Sequence, residues 1–215
     1  MSENLVKRVF TSLILLTILL VCLFLNKYSW LLLIIIASII SFFEFKNLTK
    51  KIWKRKKTSI DAANLICFFY LIFFTYAAFD LAKSKEASLY VLLVCIFSDI
   101  GGYIVGKSIG GKKLTKISPK KTISGSIGSF FFSLIPCIFY LLIEIPVSNL
   151  YILIFLTLIL SFICQSGDLF ISYFKRKAKI KDTGTILPGH GGLLDRIDGI
   201  VFAVPGAFIL DKIFF

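Results

Sequence analysis

Residues 150–174 read LYILIFLTLILSFICQSGDLFISYF, an apolar run broken by one carboxylate, Asp168, seven residues ahead of the basic group Lys175-Arg176-Lys177. At roughly 1.5 Å per residue a helix of this length reaches across a hydrocarbon core of about 30 Å. A segment so apolar on every side has no face to offer water, and it reads as a membrane span.

The rest of the chain repeats the pattern. Its 215 residues are 57% hydrophobic and 17% charged, with 23 Phe, against roughly 45–50% apolar usage in soluble domains; the mean hydropathy is +0.89. Further runs occupy 9–25, 30–45, 60–79, 88–105, 123–143 and 199–215. The expectation is an all-α, polytopic transmembrane helical bundle of about seven spans, forming one membrane-embedded domain over 1–215. Residues 1–87 would supply the N-terminal spans and 88–215 the catalytic part. The run at 30–45 is short, and the last one carries Asp211 and Lys212. Lys7 and Arg8 before the first run could open a signal peptide, but no small-residue cleavage site follows, so a retained span is expected.

Basic residues orient the chain. In order, the N-terminus, the six connections and the last segment hold two, one, seven, two, six, none, six and one Lys or Arg. Positive charge collects on the cytoplasmic side, which puts the N-terminus and the even-numbered loops inside and the C-terminus outside, in a multi-pass protein of the cell (inner) membrane. The net charge of +13 then needs no nucleic acid as partner. The cluster Lys50, Lys51, Lys54, Arg55, Lys56 and Lys57 fixes topology, with attraction to anionic lipids of roughly 1 kcal/mol per residue as an addition. The cysteines, Cys22, Cys67, Cys95, Cys137 and Cys164, sit singly in apolar runs and read as packing residues.

Two carboxylates sit where a membrane disfavours them. Asp99 precedes Lys107 by eight residues and Asp168 precedes Lys175 by seven, so each lies roughly 10–12 Å from the first inner basic residue. An ionisable group at that depth costs a few kcal/mol and usually faces a bundle interior or a wet cavity. The alternative is a structural pairing with a lysine of a neighbouring helix. Asp168, Ser172, Lys175 and Arg176 fall on one helical face, as do Asp99, Tyr103 and Gly106.

The inner loops add polar chemistry. After residue 174 come Gly189, His190, Gly191 and Gly192, then Asp195, Arg196 and Asp198. Glycines before a helix start leave N–H groups for an anion, or simply make a turn. Asp195 and Asp198, three apart, are expected on one helical face, and carboxylate oxygens suit Mg²⁺. Ser118, Lys120, Lys121 and Thr122, around Pro119, suit phosphate contacts without forming a Walker A loop.

Ser172, Phe174, Lys175, Arg176, Lys181, Asp182, Gly184, Leu187, Pro188, His190, Gly191, Gly192, Leu193, Asp195, Arg196, Ile197 and Asp198 match in order and spacing the signature of the phosphatidate cytidylyltransferases, or CDP-diacylglycerol synthases, which this chain therefore resembles. Asp99, Tyr103, Gly106 and the Ile-Ser-Pro-Lys-Lys-Thr stretch at 117–122 extend the likeness. The chain departs from the family at Ser124, where a Glu is usual, and in a shorter N-terminal side. The resemblance implies cytidylyl transfer from CTP to phosphatidate with Mg²⁺ and a second cation, and it places the cations at Asp168 and Asp195. Asp99 and Asp198 are expected as supplementary ligands. Lys175, Arg176, Lys120, Lys121 and Arg196 would screen phosphates, and His190 would hold a phosphate or the loop rather than move a proton. A homodimer is left open. Two other readings stand beside this one: a CTP-dependent polyprenol-type lipid kinase, which would release CDP, and an ion-coupled transporter, which would have no use for the motif loop.

Overall fold

A computed structural model describes residues 3–54, 56–115, 118–142, 149–187, 189 and 191–214, with side chains from residue 10 onward. The elements are α1 (Glu3–Leu25), α2 (Lys27–Ile52), α3 (Lys57–Leu81), α4 (Lys85–Ile109), α5 (Ile123–Ser133), α6 (Ile135–Leu142), α7 (Leu150–Lys177), α8 (Leu194–Ile197) and α9 (Ile200–Phe214). The described residues contain no strand, only isolated bridges in two loops.

Among the described residues, five stretches are long and apolar enough to cross a membrane: α2, α3, α4, Ile123–Leu142 and α7. The other two expected spans are helical but shorter, an apolar Phe10–Leu25 within α1 and the 15-residue α9 with Pro205 inside it. The expected fifth span is two helices, because Pro136 stands second in α6, where it withholds an N–H and bends the chain. The second is longer than its apolar run, since α2 continues to Ile52 through the first basic residues.

The helices pack as lipid-soluble helices do. Bulky apolar side chains such as Ile66, Phe69 and Phe131 point outward at 61–71% exposure, while Ser41, Ser98, Ser133, Thr157 and Ser161 are buried at 1% or less. Bilayer tails are as apolar as leucine, so helices there gain from close backbone approach and interhelical hydrogen bonds rather than from burying leucine.

The chain forms two compact units, one of Met1–Lys85 with Phe174–Asp198, the other of Glu86–Tyr173 with Gly199–Phe215. In the first, Asn26 alone separates α1 from α2, and it caps α2 by accepting from the amides of Tyr28 and Ser29 at 2.9 and 2.8 Å. Trp30 Nε1 donates to the Ala78 carbonyl at 3.0 Å, and the Ser38 and Thr75 hydroxyls meet at 2.9 Å, tying α2 to α3. In the second, Ser98 bonds Ser161 at 2.9 Å and Tyr90 bonds Thr157 at 2.5 Å between α4 and α7. Glycines bring α4 against α5: a Cβ at Gly101 would lie 2.5 Å from the Gly128 carbonyl oxygen.

Candidate functional site

In the second unit, a cavity of about 240 Å³ is lined by Asp99 and Tyr103 from α4, Lys121 and Thr122 from the following loop, Ser126 from α5, and Gln165 and Asp168 from α7, among others. The loop's geometry delivers the lysine. Gly110 and Gly111, both at positive φ (65° and 101°), release the chain from α4. Residues 112–114 then pair with 121–123, the Leu114 amide donating to the Lys121 carbonyl at 2.8 Å and the Ile123 amide to that of Lys112 at 3.0 Å. Thr122 caps α5 by accepting from the Gly125 amide at 3.1 Å.

So held, Lys121 places Nζ 2.5 Å from Asp168 Oδ2. Ser172, one turn on, donates to Oδ1 at 3.2 Å. Ser126 donates to Gln165 Oε1 at 2.6 Å and the Gln165 amide group donates to Ser161 at 3.3 Å, so Gln165 is oriented from both ends. Lys120 is exposed at the turn, and the Ser118 carbonyl accepts from the Lys121 amide at 3.0 Å. Ser124, where the resembled family carries Glu, donates to the Gly110 carbonyl and steadies the same loop.

The second constellation lies in the first unit. At the end of α7 the Ile180 amide donates to the Lys175 carbonyl at 3.0 Å, and Lys179 takes the left-handed conformation (φ 56°) that usually falls to glycine, which turns the chain sharply back. Leu187 and Gly191 then exchange backbone hydrogen bonds of 2.9 and 3.1 Å around Gly189. Pro188 and His190 lie outside the described residues, so the expected roles of His190 have no structural counterpart here. The loop brings Asp195 to Lys175, whose Nζ donates to Oδ1 at 2.7 Å. The other oxygen, Oδ2, accepts from the Thr183 amide (2.7 Å), the Thr183 hydroxyl (2.9 Å) and the Gly192 amide (3.1 Å). Burial opposes ionisation of Asp195, but the hydrogen bond and charge of Lys175 and the bonds from the Thr183 and Gly192 amides outweigh it and hold the carboxyl below its usual value.

Other expected site residues stand as follows. The amides of Gly191 and Gly192 serve acceptors inside the loop, Leu187 O and Asp195 Oδ2. The helix expected to carry both Asp195 and Asp198 is only Leu194–Ile197, so Asp198 falls just past its end. Arg176 and Arg196 are exposed, and Ser172 is buried. The sequence reading passed over Glu44, a 3%-exposed carboxylate on α2 that accepts from the Thr183 hydroxyl and the Leu193 and Leu194 amides at 2.8, 3.0 and 2.9 Å. The depth signal that marked Asp99 was absent there, because Lys46 follows Glu44 by only two residues. Ending the run at residue 45 made it look like a boundary residue.

Apolar helices of membrane-crossing length, with a polar cavity lined from α4, α5 and α7, define a multi-pass membrane protein. The cytidylyltransferase family matches it over residues 61–214, and the chain belongs to that family. It is 42% identical over 130 residues to a phosphatidate cytidylyltransferase of Bacillus subtilis (strain 168), an alignment covering 58% of this chain and 48% of that protein. It is 48% identical over 118 residues to one of Staphylococcus aureus (strain COL), covering 54% and 45%. For one of Staphylococcus haemolyticus (strain JCSC1435) the identity is 46% over 119 residues, covering 54% and 45%. The chain spans about half the length of the relatives it matches.

Proposed function

We propose that this chain transfers the cytidylyl group of CTP to phosphatidate, giving CDP-diacylglycerol and pyrophosphate. The observation that carries the reading is the cavity where Asp99, Asp168 and Lys121 meet within membrane-crossing helices, in a chain whose relatives are named for this reaction. A phosphate oxygen of phosphatidate attacks the α-phosphorus of CTP, forming a P–O bond as the bond to the β-phosphate oxygen breaks. The phosphate monoester is already ionised near neutral pH, so the demand on the protein is placement and charge neutralisation rather than a strong base.

The donor set fits Mg²⁺. Asp99 and Asp168 present hard oxygens to one cavity, and Mg²⁺ is commonly held by one or two carboxylates, with water and substrate phosphate completing its shell. Asp168 and Asp195 would hold the cations in this reading, with Asp99 and Asp198 supplementing them, and Mg²⁺ held there would supply charge neutralisation at the phosphates. Lys121, Lys175, Arg176, Lys120 and Arg196 screen phosphate oxygens. Ser118, Thr122, Ser172 and Tyr103 offer hydroxyls, and Gly191 and Gly192 shape the motif loop.

The topology proposed with this function has seven spans in one domain over 1–215, the N-terminus in the cytoplasm of a cell whose inner membrane holds the protein, and the site open to cytoplasmic CTP. Phosphatidate then arrives from the leaflet. The test is the purified full chain in detergent with phosphatidate, labelled CTP and Mg²⁺. Pyrophosphate and CDP-diacylglycerol are expected; CDP with a phosphorylated lipid would mean a kinase, and CTP left intact would end the proposal.

A further inference from the structure

Glu44, the one acid of α2, lies outside residues 61–214 that match the family, yet it accepts three hydrogen bonds from the motif loop. We infer that Glu44 is a positioning residue: by holding Thr183 and the amides of Leu193 and Leu194 it sets where Asp195 stands, and with it Lys175. The inference rests on the reaction proposed above, in which Asp195 and Lys175 take part.

A carboxylate buried on an apolar helix is expensive unless its oxygens are fully bonded. Glu44 meets that condition entirely through the loop. The N-cap of α8, Leu193, brings no side-chain cap, which leaves the first amides of the turn in need of acceptors. Glu44 Oε1 takes the amide of Leu193 at 3.0 Å and Oε2 that of Leu194 at 2.9 Å.

The link to Asp195 is one hydroxyl. Thr183 Oγ1 lies 2.8 Å from Glu44 Oε2 and 2.9 Å from Asp195 Oδ2. It carries a single proton, so the two carboxylates share one donor. Any shift of Glu44 is therefore felt at Asp195 within one side chain. Two motif glycines make room for this arrangement. A Cβ at Gly184 would sit 2.6 Å from Glu44 Oε1 and one at Gly192 would sit 2.5 Å from Glu44 Oε2. The second glycine of the His-Gly-Gly stretch thus has a reason to be glycine that involves no phosphate.

The experiment compares the full chain with Glu44→Gln, Thr183→Ser, Thr183→Val and the Glu44→Gln/Thr183→Val double variant in detergent. It reads kcat and KM per folded molecule, and hydrogen exchange over residues 183–195. Glu44→Gln keeps the shape but turns an NH₂ group toward amide donors. It is expected to lower kcat by about 10- to 100-fold, as loss of an outer-shell partner does, with both KM values within about 3-fold and faster exchange in the loop. Thr183→Ser, which keeps the hydroxyl, should stay within about 3-fold of wild type, Thr183→Val should fall with Glu44→Gln, and the double variant should be no worse than the worse single. Unchanged kcat in folded Glu44→Gln, or single effects that multiply in the double variant, would overturn the inference. If Glu44→Gln does not fold, the Thr183 pair decides, since equal activity of the Val and Ser variants also overturns it. A wild-type chain without transfer activity would sink the functional reading instead, and loop exchange in Glu44→Gln would still show whether Glu44 holds the segment bearing Asp195.

Discussion

Lys121 reaches out of the loop between α4 and α5 to place its ammonium 2.5 Å from Asp168 on α7, on the wall of a cavity that Asp99 shares. The pair is neither buried nor freely solvated, with 27% and 30% of the two side chains exposed. Sealing an ion pair inside a bundle costs desolvation that its attraction need not repay. This one opens onto a space that also collects a hydroxyl, an amide and a second acid, which favours work on a charged ligand.

Asp168→Asn is therefore expected to leave a folded protein whose cytidylyl transfer, as proposed above with Mg²⁺, falls by about 100-fold or more, the scale on which loss of a group aimed at developing charge is felt. Lys121→Ala should fall by at least about 10-fold, with a rise in the KM for CTP. Pyrophosphate release from the purified variants measures both. Near-normal turnover in folded Asp168→Asn would remove that residue from the metal assignment.

Asp195 leads to a prediction about acid. Its carboxyl is held below the usual carboxylate value in the folded state, so it contributes stability that is fully present above the unfolded pKa of about 3.9 and is lost as pH falls through the lower folded value. Thermal unfolding of the detergent-solubilised chain should show an acid-side loss of Tm that Asp195→Asn largely lacks. At pH 7 the same variant should melt several degrees lower, roughly 5 °C or more, because it leaves the half-buried Lys175 ammonium without its counter-charge. Parallel Tm profiles for the two proteins from about pH 6 down to about pH 2 would show that the pair does not carry this linkage.

The close approach of α4 to α5 separates two adjacent glycines. At Gly101 a methyl group would run into the Gly128 carbonyl oxygen and Phe132 Cβ, both at 2.5 Å, whereas at Gly102 the nearest atom is the Ser129 hydroxyl at 2.6 Å, which can rotate away. Gly101→Ala should cost about 1–3 kcal/mol as an overpacking change and Gly102→Ala clearly less. The order of their melting temperatures is the check, and a reversed order would contradict the helix contact described.

The sequence made some of this legible and hid the rest for identifiable reasons. Asp99 and Asp168 could be paired because each is a lone acid at the same distance from a basic boundary, a signal that depends on helical rise and charge alone. Lys121 was within reach as a candidate, though not its partner, because the pairing of 112–114 with 121–123 that aims it is held by backbone hydrogen bonds that no side-chain pattern announces. The bond between Lys175 and Asp195 joins residues twenty positions apart across an irregular loop, where periodicity says nothing. Glu44 was hidden because hydropathy marks where an apolar run ends and not where its helix ends. α2 runs on to Ile52 with the basic residues at its tip, so an acid that looked like an edge residue is 3% exposed.

A chain of hydrogen bonds behind the cavity yields a last prediction. Ser98 bonds Ser161, Ser161 accepts from Gln165, and Gln165 accepts from Ser126, at 2.9, 3.3 and 2.6 Å. Only the Gln165 and Ser126 end lines the cavity, and Ser98 and Ser161 are fully buried. Interhelical hydrogen bonds within membranes are worth about 0.6 kcal/mol on average and up to about 1.7, so Ser161→Ala should lower Tm by a few degrees and leave transfer nearly intact. Gln165→Leu loses both of its bonds and a polar cavity wall at once, so it should show a comparable thermal loss with a much larger fall in activity. Tm and turnover measured on the same preparations separate the two effects, and equal turnover in both variants would mean that Gln165 only ties α5 to α7.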